Sequence, residues 1–205
     1  MDGLLRAHWT EAWCVLGLEA PAGLLDRVLA AYAGPQRHYH GLQHLAECLG
    51  HFGRERGAAA HPAEVALALF FHDAVYDVHA ADNEARSAGW ARDTLQEAGA
   101  SAETADRVHA LVMATCHDAQ PEGADAQLLV DIDLAILGAA PERFAEYERQ
   151  IRREYAHVPP EAFEPRRRAI LGRFLARGPL YLTPGLRARC EAQARSNLRA
   201  AIGPS

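Results

Sequence analysis

His40 and His44 stand four residues apart in the segment RHYHGLQHL, residues 37 to 45. Imidazoles ligate metals and carry protons near neutral pH, so the pair raises the question of a shared site. If a helix has begun by His40, the two rings lie on one face, about 6 Å apart along the axis. Such pairs are more often surface or capping residues, and Gly41 stands where a zinc-protease signature requires Glu. The second candidate is FFHDAVYD, residues 70 to 77, with His72 and Asp73 behind the apolar run from Val65 to Phe71. A carboxylate buried there needs a hydrogen-bonding partner or a cation. Adjacent side chains on a helix diverge by about 100° and do not readily pair, which favours a cation over a structural His-Asp pair. The third is LLVDIDLAILG, residues 128 to 138, where Asp131 and Asp133 interrupt an apolar helix. Each is either a ligand or a cap for a neighbouring helix.

His44, His72, Asp73 and one of these two aspartates would give two imidazoles and two carboxylates from three helices. Mixed nitrogen and oxygen donors suit an octahedral divalent ion such as Mn²⁺, Fe²⁺, Co²⁺, Mg²⁺ or Ni²⁺ better than a structural zinc site. Three further residues carry an alternative each. Glu84, in DNEARSA, either holds a water as a base or favours its helix dipole. His117, in ATCHD, is a helix-terminal imidazole or, as the family that these motifs resemble implies, a contact for a second metal or the substrate phosphate. Arg37 is a phosphate clamp or a solvated loop arginine.

The elements that must position these groups are helical. Apolar residues recur at helical spacing through Leu5, Trp9 and Trp13, through Leu24, Val28 and Tyr32, along 65 to 71, and through Leu128, Ile132 and Ile136. About ten helices are expected, separated by turn signals that include Gly34-Pro35, Asp82-Asn83, residues 118 to 125 and Pro159-Pro160. Pro62, Pro141 and Pro184 suit first turns, and Asp82, Ser101 and Thr183 suit N-caps. Trp9, Trp13 and Tyr32 fit either a core or an interface, and EPRRRAI, residues 164 to 170, reads as a solvated helix face.

Composition bounds the function. At 205 residues, with 49% hydrophobic and 23% charged residues, the chain fits one globular domain. All 21 basic residues are arginine, which excludes a lysine nucleophile, a Schiff-base lysine and a Walker-type phosphate loop. A net charge of −6 argues against coating a nucleic-acid polymer. No apolar run approaches the length of a membrane span, and charges interrupt the first twenty residues, so a cytoplasmic location without membrane contact is expected. Cys14, Cys48, Cys116 and Cys190 are scattered without a C-x-x-C pair and read as free thiols.

The motifs together resemble the HD superfamily of metal-dependent phosphohydrolases, whose ligand order is His, then His-Asp, then Asp. The resemblance extends into the small stand-alone branch of that superfamily through RHYHGLQHL, FFHDAVYD, DNEARSA, LVMATCH, DIDLAILG and RREYAHV, over roughly residues 37 to 200. It implies a single HD-type helical bundle spanning 1–205, with the metal-site core at about 37–138 and C-terminal helices at 141–201 packed on it. It implies metal ligation by His44, His72, Asp73 and Asp133, leaving Asp131 a supporting place behind them. YHGLQH also resembles the corresponding pattern of cyclic-nucleotide phosphodiesterases, which makes His40 the expected proton donor, although Gly41 replaces their usual Asn. The function implied is hydrolysis of a small phosphate ester, nucleotides included, by a metal-activated water, with Asp73 or Glu84 orienting that water. Two alternatives are an HD protein that binds metal and nucleotide without turnover, and a di-iron HD oxygenase recruiting Glu84 and His117. Self-association is left open.

Overall fold

The computed structural model describes residues 2–117 and 119–203, so Asp118, at the start of one expected turn, lies outside the described residues. Ten α-helices and three short 3-10 turns form, with no strand among the described residues, as the periodicity predicts. The chain divides into two compact units, 1–130 and 131–205.

In the first unit, α1 (Asp2–Leu16), α2 (Leu24–Tyr32), α3 (Leu42–Glu55), α5 (Asn83–Glu97) and α6 (Ala102–Met113) accompany a central α4 (Pro62–Phe71). Every residue of α4 from Ala63 to Phe71 is buried, and the helix packs against α1, α3, α5 and α6. A helix that is apolar all round has no face to give to water, which is why α4 takes the middle. Phe70 meets Trp9 edge-on with ring centroids 5.0 Å apart, and Phe71 meets Trp90 at 5.5 Å. Trp9, Trp13 and Tyr32 are therefore core residues.

The one carboxylate on α4, Glu64, is buried yet fully paired: Arg107 of α6 donates to its two oxygens at 2.7 and 2.8 Å. Breaking such a pair leaves a buried charge uncompensated. Arg107→Ala is expected to lower stability by about 2 kcal/mol, while Arg107→Ala combined with Glu64→Gln recovers part of the loss. Chemical denaturation of the three proteins checks this.

The helix starts follow the sequence in part. Pro62, Pro141 and Pro184 occupy first turns, and the Ser101 hydroxyl accepts the Thr104 N–H at 3.1 Å. Asp82 and Thr183 stand at cap positions, but their side chains make no capping bond. The Thr183 hydroxyl instead donates to Asp131 at 2.7 Å.

α7 (Ala124–Asp133) begins in the first unit, and its residues 131–133 belong to the second. The second unit continues through a 3-10 turn (Leu134–Gly138), α8 (Pro141–Glu154), α9 (Pro160–Ala176) and α10 (Pro184–Ile202). Gly138 packs so closely on α10 that a Cβ would lie 2.6 Å from that of Cys190, and Asn197 donates to the carbonyls of Leu137 and Ala139. In the basic run 164 to 170 the expected solvated face holds for Arg168, whose side chain is 60% exposed, but not for Arg167, at 12%. Arg167 lies over the Tyr147 ring and pairs with Glu148, because its position on α9 faces α8.

Candidate metal centre

α3 does not start early enough to carry His40. The helix opens at Leu42 with Gly41 as its cap residue, so the expected shared helical face for His40 and His44 does not form. A tighter device replaces it: the Gly41 N–H donates to the Tyr39 carbonyl at 2.7 Å, and the turn folds His40 back beside the helix. The His40 ring lies 6.0 Å from that of His44 and stacks on Tyr76 at 4.2 Å. A Cβ on Gly41 would stand 3.3 Å from the Arg37 carbonyl, a close approach that suits glycine there.

The second departure concerns His72 and Asp73. α4 ends at Phe71, and His72 is its C-cap residue, so Asp73 already belongs to the turn. Off the helix the two side chains do not diverge: His72 Nε2 and Asp73 Oδ2 are 3.1 Å apart. The argument from helical divergence fails because the helix stops one residue too soon for it.

Backbone contacts hold that turn. The Asp73 N–H donates to the Tyr32 hydroxyl at 3.1 Å, and Arg37 donates to the carbonyls of His40, Asp73 and Ala74. Arg37 also lies over the Tyr32 and Tyr76 rings. Its forked donors, expected either in solvent or on a phosphate, are engaged in stitching the 37–41 loop to the 73–74 turn. Burial pushes the Tyr32 phenol up to about 12, so it stays neutral as it receives this N–H.

At the centre, His72 Nδ1 lies 2.8 Å from the Leu69 carbonyl. A carbonyl only accepts, so Nδ1 carries the proton, and on a neutral ring Nε2 presents its lone pair. That atom faces His44 Nε2 at 3.0 Å as well as Asp73 Oδ2, and His44 Nε2 is 3.5 Å from the same oxygen. His44 and His72 are 2% and 1% exposed. A third donor type completes the group: His44, Cys48 and His72 offer ligand atoms within 4.8 Å of one another. Within the first unit His44, Cys48 and His72 thus form a buried group able to hold a metal ion, with the Asp73 carboxylate beside it.

Burial by itself would raise the Asp73 pKa, but the His72 charge, hydrogen bonds from His44 and His72, and the His40 charge reverse the sign and hold it well below the usual carboxylate range. With His44 Nε2 deprotonated, two ring nitrogens and a carboxylate oxygen present lone pairs at these separations, an arrangement that a cation among them would hold together. The backbone-anchored Nδ1–H of His72 is the arrangement that orients a metal-ligating histidine.

Asp131, Glu84 and His117 are not among the converging donors. Asp131 is buried and accepts from the Leu182 N–H at 3.0 Å, the Thr183 N–H at 2.6 Å and the Thr183 hydroxyl. It tethers the segment entering α10, which is the capping alternative for this residue. Burial raises its pKa against the lowering pull of those bonds. Asp133 ends α7, and in its own unit it acts electrostatically on the Tyr147 phenol, which is raised chiefly by burial. Glu84 sits in the first turn of α5 and makes no hydrogen bond or ion pair among the described residues. Its neighbours do the anchoring: Asn83 exchanges two bonds with the Asp77 backbone, and Ser87 does the same with Val75. His117 closes the 3-10 turn after α6 at φ 57° and is not among the converging donors.

Sequence reasoning missed Cys48, Tyr32 and Tyr76 as site residues. Cys48 alone left a signal, since it follows His44 by four residues on one helix.

A buried His/Cys/His/Asp cluster in an all-helical chain is compatible with an HD-type fold. No helix among the described residues is long and apolar enough to cross a membrane. No family model matches the chain, and neither a curated protein nor a solved structure is significantly similar to it.

Proposed function

We propose that this protein is a metal-dependent phosphohydrolase of the HD type, acting on a small phosphate ester or nucleotide. The observation that carries the reading is the convergence of His44 Nε2, His72 Nε2 and Asp73 Oδ2 within 3.0 to 3.5 Å in a buried site. Such a donor set fits a divalent ion held by nitrogen and oxygen. When bound, the ion would supply Lewis-acid polarisation of a phosphoryl oxygen and a water acidified toward hydroxide.

The chain's own residues supply the rest. His40 protonates the leaving oxygen from an imidazole nitrogen, and its stacking on Tyr76 fixes the ring for that transfer. Asp73, kept ionised by its histidine neighbours, orients the attacking water, with Glu84 the further candidate for that task. Arg37 positions both by holding the loop that bears His40 against the turn that bears Asp73.

The test is a panel of phosphate monoesters, nucleotides and pyrophosphate, assayed for phosphate release with Mn²⁺, Co²⁺, Mg²⁺, Fe²⁺ or Ni²⁺. Release that requires one of these ions supports the reading and names the substrate class. Nucleotide-induced thermal stabilisation without release would contradict turnover and favour a binding protein instead.

A further inference from the structure

Cys48 is buried at 2% exposure, one turn along α3 from His44. Its Sγ lies 3.7 Å from both ring nitrogens of His44. A core cysteine packs as a small hydrophobe among hydrocarbon; this one is set against imidazole nitrogens inside a group of convergent ligand atoms. A sulfur and a nitrogen bound to one ion, at about 2.3 and 2.1 Å and a near-tetrahedral angle, stand about 3.6 Å apart. Equidistance from the two nitrogens sets Sγ to one side of the Nε2 lone pair, so joining an ion held there takes a rotation of the Cys48 side chain, and the ligand atoms of His44, Cys48 and His72 already lie within 4.8 Å of one another.

We propose that Cys48 is a thiolate donor to the same ion, so that the centre selects Zn²⁺, Co²⁺ or Fe²⁺ over Mg²⁺. This rests on the metal-centre reading above and specifies which ions it takes. The chemistry follows from softness: thiolate favours borderline ions, whereas Mg²⁺ takes hard oxygen donors and keeps its waters. Binding breaks the Sγ–H bond and forms the Sγ–metal bond, with the proton leaving to solvent and no change of oxidation state.

Co²⁺ titration of the metal-stripped wild-type protein reads this directly. The expected result is a near-ultraviolet thiolate-to-cobalt charge-transfer band rising with the visible cobalt bands, and Zn²⁺ displacing both. Cys48→Ser and Cys48→Ala should abolish the charge-transfer band, keep visible bands, and weaken Zn²⁺ binding by about 10-fold or more while changing Mn²⁺ binding far less. Visible bands without a charge-transfer band in the wild type, or a charge-transfer band that survives in Cys48→Ser, would overturn the role of Cys48 and leave the metal centre standing. Absence of any cobalt binding by the wild type would overturn the centre itself. The wild-type spectrum decides the matter even if a variant fails to fold.

Discussion

Asp73→Ala is expected to lose the bound ion, with affinity weakened by at least about 100-fold and phosphate release falling to background. Even outer-shell partners of a metal site cost 10- to 100-fold, and Asp73 is proposed as a direct ligand. The same change should leave the fold in place. The backbone of residue 73, not its side chain, anchors the turn, through the Tyr32 hydroxyl and Arg37. Circular dichroism and metal analysis on one preparation separate the two effects: native helicity without metal is the expected combination. Asp73→Asn sharpens the test, because it keeps the volume and removes the charge that His44 and His72 face.

The second large effect belongs to His40. His40→Ala should retain the ion and lower turnover by about 10²- to 10⁴-fold, the range that general acid catalysis contributes. The separation follows from placement. His40 lies on the loop before α3, its ring 6.0 Å from that of His44, and it is not among the convergent donors. A substrate with a leaving group acidic enough to depart unprotonated, such as a nitrophenyl phosphate, should be affected much less than an alkyl ester. Steady-state rates on the two substrates, alongside metal content, check this; equal losses on both would remove His40 from the acid role.

The residues that define the site were readable because each was an exception to its surroundings. His72 and Asp73 follow an apolar run too long to be exposed, and α4 is buried from Ala63 to Phe71. Asp131 and Asp133 stand out for the same reason, but the sequence left open which of them caps a helix. Only the fold brings residues 182 and 183 to Asp131, because that contact spans about fifty positions of chain. The geometry of pairs was read less well than their identity. His40 falls before its helix and Asp73 after its own, so both arguments from helical spacing failed at helix ends, where one residue changes the direction of a side chain.

Arg37 and Cys48 show the two ways in which local pattern runs short. A guanidinium in a polar loop looks free until the carbonyls that capture it arrive from residues 73 and 74. A single cysteine without a C-x-x-C partner looks inert until a histidine one turn earlier on the same helix proves to face it. Around Glu84 the fold adds anchors that the motif did not announce, through Asn83 and Ser87.

The central claim is that the buried cluster holds a divalent ion on which phosphate hydrolysis depends. Chelator-stripped wild-type protein, reloaded with increasing metal while phosphate release from its best substrate is followed, tests it most directly. The account predicts no release from the stripped protein and full recovery at about one ion per chain for a single mononuclear site. Undiminished release from protein shown to be free of metal would contradict it.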